Sequence, residues 1–317
     1  MSDTIQTHTL RDGETEVTVL SMGCVIQDWT VGGRRVILGY QDIEDYRGNP
    51  ASMAITVGRV ANRTAQCQFE MDGETYTLAS RGGPHHLHGG PGGIGWRNWT
   101  MEPQGETAVR LTLHSPDGDQ GYPGAVDFEV MLTLDGPALT WEMTATPDRK
   151  TPINMAQHVY FNLAGEGTIR EHSVRLNASH VTPTDETLIP TGEIMPVDGT
   201  RYDFREPRVL SEIDPEGQGY DWNFALDGGD VPQVEIASPD GMRLTLWTNR
   251  KGLQFYTGGF LTSHGTRHAG VRHGPFAGFC IEAQDFPNTL NTPAFGSIFC
   301  TPDSPYHQRT TIRIARD

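Results

Sequence analysis

The chain has 317 residues, of which 36% are hydrophobic and 20% charged, a composition typical of a globular protein and unlike that of a disordered chain. Its formal net charge of −16 argues against nucleic acid as a partner, because binding to a phosphate backbone depends on clustered lysine and arginine. The first residues lack a basic segment followed by an apolar run, and no stretch approaches the roughly 18 apolar residues of a membrane span. We therefore predict a soluble, cytoplasmic protein.

Short runs rich in Val, Ile, Thr, Phe and Tyr recur between turn signals, which is the pattern of β-strands. The predicted strands are 16–20, 25–31, 76–78, 109–113, 126–134, 139–145, 234–236, 242–248, 253–256 and 310–314. No window of a dozen residues sustains a helical repeat of apolar residues, so helices should be few and short. The sequence predicts an all-β protein.

Four Asp-Gly dipeptides lie between the predicted strands and are typical of hairpin turns. They are Asp72-Gly73, Asp117-Gly118, Asp227-Gly228 and Asp240-Gly241. Because no linker or low-complexity tract interrupts the chain, we predict one domain over residues 1–317. With so many strands, a large antiparallel β-sandwich is favoured over a small barrel.

The four cysteines lie far apart in the sequence and include no Cys-x-x-Cys pair. Two disulfides would be expected in a secreted protein, but the absence of a signal peptide favours buried free thiols.

The stretch NMAQHVYFNL, residues 154–163, is predicted to form a strand that carries a histidine. Alternation along a strand places Asn154, Ala156, His158, Tyr160 and Asn162 on one face. Their imidazole, phenol and amide groups are costly to bury without hydrogen-bond partners, but they suit the wall of a polar cavity. His158 is therefore either a structural histidine or part of a polar site.

A second stretch, FCIEAQDF at residues 279–286, places Cys280, Glu282 and Gln284 on one face of a predicted strand. A carboxylate in the middle of an apolar strand is uncommon unless it is paired or functional. Partial desolvation would raise the pKa of Glu282 toward the range of a general base. A buried salt bridge between Glu282 and an arginine is the alternative.

A glycine-rich region follows the motif GRVANR of residues 58–63 and extends over residues 81–96. It contains no Gly-x-x-x-x-Gly-Lys-Ser/Thr motif, so its glycines are predicted to permit positive φ angles and close backbone approach rather than to bind phosphate. Two groups of three histidines lack the spacing and carboxylate support of metal sites, and we predict no metal. They are His85, His86 and His88, and His264, His268 and His273.

Seven motifs occur in the order found in the aldose 1-epimerases, or galactose mutarotases, and the chain resembles that family from about residue 39 to residue 306. The motifs are GRVANR, LHGG, HVYFNLAG, VTPTDETLIPTGEIMPVDGTRYDFRE, GYDWNF, LQFYTGGF and IEAQDFPNTLNTPAF. The resemblance implies a large β-sandwich with an open sugar-binding cleft and no cofactor or metal. It also implies interconversion of the α and β anomers of a free aldose such as galactose or glucose.

Carried over motif by motif, the resemblance implies that Glu282 is the general base that removes the proton of the C1 hydroxyl. It implies that His158 is the general acid that protonates the ring oxygen. Opening a hemiacetal requires these two proton transfers. The sugar-binding residues implied by the matched motifs are Asn62, Arg63, His88, Asp221 and Gln254. Taken singly, Arg63 and Asp221 can equally be structural ion-pair partners, and Gln254 a satisfied strand amide.

Three positions depart from the usual family pattern: Gln157 where Asn is usual, Trp222 where His is common, and Asn288 where Asp is usual. Gln157 is predicted to face away from His158 and to support the strand. Trp222 is predicted to stack on a sugar face or to narrow the pocket.

Two other functions remain open at this stage. They are a mutarotase of hexose 6-phosphates and a non-catalytic sugar-binding module on the same scaffold. The sequence leaves open the preferred aldose and the choice between a monomer and a homodimer.

Overall fold

The computed structural model describes residues 4–262, 264–268, 271 and 273–316, and within them strands predominate. The strands are β1 (Thr7–Asp12), β2 (Thr15–Leu20), β3 (Val25–Val31), β4 (Arg34–Arg35), β5 (Thr56–Val57), β6 (Arg63–Thr64), β7 (Gln68–Met71), β8 (Glu74–Thr77), β9 (His86–Leu87), β10 (Thr100–Pro103), β11 (Ala108–Ser115), β12 (Val126–Asp135), β13 (Ala138–Pro147), β14 (Thr151–Pro152), β15 (Ala156–Gln157), β16 (Ser173–Leu176), β17 (His180–Thr182), β18 (Met195–Pro196), β19 (Arg208–Val209), β20 (Asp221–Ala225), β21 (Val234–Ala237), β22 (Met242–Thr248), β23 (Gly252–Tyr256), β24 (Cys280–Gln284), β25 (Phe299–Cys300) and β26 (Tyr306–Arg316).

Helices are short in the described ranges, and the α-helical element there is the single turn α1 (Leu210–Ile213). The 3-10 turns are Ile43–Arg47, Ala65–Cys67, Ile94–Trp96, Asp119–Gly121, Ile169–Glu171, Thr289–Asn291 and Pro293–Phe295. Each of the ten predicted strands overlaps an observed one. The all-β prediction is therefore confirmed.

The Asp-Gly dipeptides form hairpin turns in two of the four predicted places. Asp72-Gly73 joins β7 to β8 with both residues at positive φ, as a type I′ turn requires, and Asp240-Gly241 joins β21 to β22. Asp117-Gly118 lies in a longer loop between β11 and β12. Asp227-Gly228 links β20 to β21, which belong to different sheets, so the hairpin predicted there is wrong.

Three larger sheets organise the described part of the chain. Their strand orders are β1-β2-β3-β4, β10-β11-β12-β13-β26-β22-β21-β16-β19, and β18-β17-β20-β23-β24. The named strands pair in antiparallel fashion throughout, with two-stranded pairings β14-β25, β15-β5, β6-β9 and β7-β8 at the margins. This arrangement is the predicted large antiparallel sandwich.

The nine-stranded sheet has one buried and one solvated face, because residues in β12 and β13 alternate between apolar and polar. Trp141 on its buried face packs against Trp29 of β3, with ring centroids 6.1 Å apart. Both indole side chains are fully buried. These aromatic contacts join the nine-stranded sheet to the four-stranded one.

Strand β24 lies in the interior, and all five of its residues are buried. The Gln308 amide of β26 donates a hydrogen bond to the Ala283 carbonyl of β24 at 2.9 Å. The Tyr306 hydroxyl, also on β26, accepts the Met155 N–H at 3.0 Å. Through β26, the nine-stranded sheet thus supports both β24 and the segment around residue 155.

Cys24, Cys67, Cys280 and Cys300 are free thiols, as predicted, although Cys67 is only partly buried. In the described residues, no helix has the length and apolar character needed to cross a membrane.

Candidate active site

The segment that carries His158 is extended but is mostly not a ladder strand. Only Ala156 and Gln157 pair as a strand, with Val57 and Thr56 of β5. The prediction of one regular strand over residues 154–163 is therefore wrong beyond β15. The physical reason is that the backbone groups beyond β15 bond to several separate segments rather than to one neighbouring strand. His158 bonds to Ile55 and Ala54, and Tyr160 bonds to Leu38.

Asn154 and Asn162, which were predicted to share a cavity wall with His158, instead bind the segment to the chain around β24. The Asn154 amide donates to the Asp285 carbonyl at 3.1 Å, and its oxygen accepts the Asp285 N–H at 2.9 Å. The Asn162 amide donates to the Ala277 carbonyl at 2.9 Å. These two residues satisfy backbone groups and do not line the cavity.

Between these anchors, His158 and Glu282 face each other. The His158 Nε2 atom lies 3.7 Å from Glu282 Oε1, and both side chains are more than nine-tenths buried. Glu282 Oε2 has no hydrogen-bond partner among the residues that the structure describes. The pairing with His158 replaces the arginine salt bridge that the sequence left open.

A cavity of about 300 Å³ opens onto this pair. It is lined by Pro50, Ala51, Ser52, Asn62, Arg63, Leu87, His88, His158, Tyr160, Leu188, Asp221, Tyr256, Phe260, Leu261, Thr262, His264 and Glu282. Six of the seven residues named from the motifs are among them. Its size and its polar floor suit one small, hydroxyl-rich molecule.

Gln254, the seventh residue, is buried beside this wall and is not among the lining residues. It lies directly opposite Glu282 on the neighbouring strand and donates its amide hydrogen to Asp221 Oδ1 at 2.6 Å. Because the Nε2 atom faces Asp221, the amide oxygen of Gln254 points elsewhere, and it has no hydrogen-bond partner in the described part of the chain. Gln254 therefore fixes the orientation of the Asp221 carboxylate.

Burial disfavours the charged form of both members of the His158–Glu282 pair. It raises the pKa of the Glu282 carboxyl well above its usual range; the charge of Asp221 adds to this rise and that of Arg63 opposes it. Burial lowers the pKa of His158 to about 4, and a hydrogen bond to its own backbone acts in the opposite direction. Burial of this pair therefore disfavours an ion pair between a Glu282 carboxylate and a His158 imidazolium.

His88 is held in one tautomer by the backbone of Asn62. The backbone N–H of Asn62 donates to the ring atom Nδ1 of His88 at 3.1 Å. The backbone N–H of His88 donates in turn to the Asn62 carbonyl at 3.0 Å. Burial lowers the pKa of His88 well below its usual value, so the ring is neutral and its proton is assigned to Nε2. His88 therefore offers an N–H donor at the wall of the cavity.

Among the described residues, the donor atoms of His88, His158 and Glu282 lie within 4.8 Å of one another and form a candidate metal-binding group. A metal-bound histidine coordinates through one nitrogen and donates its other N–H to an acceptor. In His88 the second nitrogen accepts a hydrogen bond instead, so the proton occupies the nitrogen that a metal would need. The donor set therefore does not fit a metal ion.

The two groups of three histidines noted in the sequence do not come together at one site. His85 Nδ1 accepts the Gln66 N–H, and His86 is hydrogen-bonded to Ala79 and Tyr122, so only His88 of that trio reaches the cavity. In the second trio, His264 lines the cavity mouth and His273 packs on Tyr40.

The glycines of the LHGG motif serve close packing, as predicted. A Cβ atom on Gly89, which has a φ of +85°, would lie 1.6 Å from the Gly58 carbonyl oxygen. No side chain fits there, and this contact holds the LHGG turn against the GRVANR motif.

Two of the three family departures have a structural role near the site. The Gln157 amide donates to the Ile281 carbonyl at 3.2 Å, in line with the predicted supporting role. Asn288 adopts a left-handed conformation, donates its N–H to the Arg63 carbonyl and accepts the Ala65 N–H. Asn288 thus supports the turn that carries Arg63.

The prediction for Trp222 is wrong. Its ring packs on Tyr202, with centroids 4.3 Å apart, and it does not line the cavity. Adjacent residues of a strand point to opposite faces, so Trp222 faces away when Asp221 faces the cavity.

Several cavity residues were missed from the sequence. Tyr256 and Phe260 lie within the LQFYTGGF motif, and Phe260 is 79% exposed at the mouth of the cavity. Ser52 and Leu188 line the wall with positive φ angles, which cluster at functional sites. The motifs contained three of these residues, but only the fold shows which of their side chains reach the cavity.

Comparison with known proteins gives a consistent result. The profile of the aldose 1-epimerase family matches residues 6–313. The chain is 37% identical to the galactose mutarotase of Sus scrofa over 320 residues, covering 97% of this chain and 93% of the relative. It is 38% identical to the aldose 1-epimerase of Haemophilus influenzae over 271 residues, covering 82% and 79%.

Solved structures share the fold. An aldose epimerase homologue from C. elegans matches with a TM-score of 0.93 and 27% identity, covering 99% of both chains. A galactose 1-epimerase from Lactobacillus acidophilus matches with a TM-score of 0.84 and 26% identity, also covering 99% of both chains.

Proposed function

The chain belongs to the aldose 1-epimerase family and is an isomerase that interconverts the anomers of an aldose, and from this premise we propose how its residues act. Glu282 is the general base for the C1 hydroxyl and His158 the general acid for the ring oxygen. The observation that carries this proposal is the buried His158–Glu282 pair, with 3.7 Å between Nε2 and Oε1, at the wall of a polar cavity.

Ring opening moves two protons. Glu282 takes the proton of O1 as the bond from C1 to the ring oxygen breaks, and His158 delivers a proton to the ring oxygen. Rotation about the C1–C2 bond presents the other face of the aldehyde. The same two groups then reverse their transfers as the ring closes, so the enzyme returns to its starting state.

Ring opening leaves the pair in the proton distribution that burial favours. After ring opening, Glu282 is protonated and His158 is neutral, and this is the proton distribution that desolvation prefers. The reacting ion pair is disfavoured by the same burial.

Four cavity residues are proposed to bind the sugar directly, Asn62, Arg63, His88 and Asp221, and Gln254 is proposed to act through Asp221. Guanidinium, carboxylate and amide groups make directional hydrogen bonds to hydroxyls. The Nε2–H donor of His88 suits the ring oxygen or a neighbouring hydroxyl, and Gln254 holds the Asp221 carboxylate in position.

The test is polarimetry of freshly dissolved α-D-galactose and α-D-glucose with the wild-type enzyme and Glu282→Gln. The substitution keeps the shape of the side chain but removes the base, so we expect a loss of about 10²- to 10⁴-fold in kcat with the fold intact. Retention of the wild-type rate by Glu282→Gln would show that Glu282 is not the base.

We also propose that catalysis requires no metal, because the proton of His88 lies on the nitrogen that a metal ion would need. Dialysis of the protein against EDTA should leave the rate of mutarotation unchanged. A loss of rate that added Zn²⁺ restores would contradict this proposal.

We also propose three general properties of the protein: one domain over residues 1–317, a monomer or homodimer, and a cytoplasmic location. The four free thiols support the proposed location. Limited proteolysis, sedimentation and cell fractionation test them in turn. Stable fragments, a larger oligomer or a secreted product would each contradict one of them.

A further inference from the structure

Three side-chain amides join the His158 segment to the chain around β24. Asn154 bridges to Asp285, Gln157 to the Ile281 carbonyl, and Asn162 to the Ala277 carbonyl. We call these the three amide bridges. The partner number falls as the residue number rises, so the two segments run antiparallel.

Backbone pairing between these described segments occurs at Phe161 and Phe279, whose N–H and C=O groups exchange hydrogen bonds of 2.8 and 2.9 Å. From Gln157 to Tyr160, the segment makes no backbone hydrogen bond to Cys280–Gln284; its backbone partners are β5, Ile55, Ala54 and Leu38. There the hydrogen bond between the two segments comes from the side chain of Gln157 and not from a backbone ladder.

The middle bridge lies beside the reacting groups. Gln157 precedes His158, and its acceptor, the Ile281 carbonyl, precedes Glu282. The Gln157 side chain is 2% exposed, and its amide oxygen has no hydrogen-bond partner within the described ranges. The hydrogen bond from Gln157 Nε2 therefore links the backbone next to the acid with the backbone next to the base.

We propose that Gln157 is a positioning residue for this reaction, which sets the separation of His158 from Glu282 through its bridge to Ile281. This inference rests on the proposed roles of His158 and Glu282. Both groups must reach adjacent atoms of one sugar, O1 and the ring oxygen, and misplacement by about 1 Å can cost on the order of 100-fold in rate.

A shorter amide changes the geometry. Gln157→Asn keeps the donor but is one methylene shorter, so it must draw the two segments together or lose the bridge. Gln157→Met keeps the length and approximate volume and removes both the donor and the unpartnered oxygen.

The experiment measures kcat, KM and the pH profile of mutarotation for Gln157→Met and Gln157→Asn. We expect kcat of Gln157→Met to fall about tenfold or more and KM to change less than about twofold, because the sugar-binding residues are untouched. Gln157→Asn should lose less. The two apparent pKa values of the pH profile should shift in both variants, because they report the interaction within the pair.

The matched control is Gln233→Met. Gln233 is another buried amide, 2% exposed, whose Nε2 donates to the Val231 carbonyl at 2.8 Å outside the cavity. Its replacement should lower the melting temperature and leave kcat and the pH profile unchanged.

A folded Gln157→Met with wild-type kcat and pH profile would overturn the inference. If Gln157→Met does not fold, Gln157→Asn decides by the same two measurements. Parallel assays of Glu282→Gln separate the two ideas: an active Glu282→Gln refutes the proposed base, whereas an inactive Glu282→Gln beside an unchanged Gln157→Met refutes only the role of Gln157.

Discussion

The nine-stranded sheet and the junction between the His158 segment and β24 are held together in different ways. In the sheet, β12 and β13 pair without interruption from Val126↔Pro147 to Asp135↔Ala138 through backbone hydrogen bonds. At the junction, Asn154, Gln157 and Asn162 provide side-chain bridges where a ladder would use backbone groups.

This difference shows how a rigid sandwich can hold a reactive pair. Two directly opposed residues of a ladder have Cβ atoms about 4.5–5.5 Å apart, a distance that the sheet fixes. At the junction no such ladder pairs His158 with Glu282, and their Nε2 and Oε1 atoms lie 3.7 Å apart. The sheet provides stability, and the junction provides geometry.

The largest expected effect is a loss of kcat on replacing His158, which should not occur on replacing a second buried histidine. His158→Gln should lower kcat by about 10³-fold, because the acid of the reaction is lost, while changing stability little. Polarimetry and urea denaturation measure the two quantities.

His172 is the matched control, since burial lowers its pKa to about 4 as well. Its Nε2 accepts the Leu163 N–H at 3.2 Å, so His172→Gln should cost about 1–3 kcal/mol of stability and leave kcat unchanged. A large loss of kcat in both variants would mean that the junction acts through general packing.

A substitution in the sheet should show the opposite pattern. Leu132 is fully buried on β12, and Leu132→Ala should reduce the free energy of unfolding by about 3 kcal/mol through lost burial and a cavity. The kcat of the folded variant at 25 °C should remain at the wild-type value. A tenfold drop in kcat with the fold intact would break the division between sheet and junction.

The smallest expected effect is that of pH near neutrality. Activity requires one proton on the pair, so it should fall below about pH 4, where His158 also becomes protonated, and above the raised pKa of Glu282, where the pair loses that proton. Between these two limits the rate should change less than about twofold.

An exposed pair on the outer face of the sheet provides the comparison. His114→Gln removes the 2.7 Å contact with Asp127 and should leave the pH profile unchanged, because exposed pairs contribute about 0–1 kcal/mol. A steep change in wild-type rate near pH 6.5 would show that His158 titrates as a solvent-exposed histidine.

Local patterns predicted the strands and a carboxylate at the centre of one of them. The alternation of β12 and β13 and the central carboxylate of β24 were visible in the sequence, since each depends on neighbouring residues. Alternation also separates Asp221 from Trp222, yet Trp222 was predicted to line the pocket. That expectation followed a family position and not the period of the strand.

The sequence by itself determined the all-β class and the chemical groups available for proton transfer, because strand periodicity and residue type are local properties. Only the tertiary structure decided that Asn154, Gln157 and Asn162 are bridges and not cavity walls. Their partners lie more than a hundred residues away along the chain, and no local pattern records which backbone groups the sheet leaves unpaired. The distance between His158 and Glu282 depends on those partners.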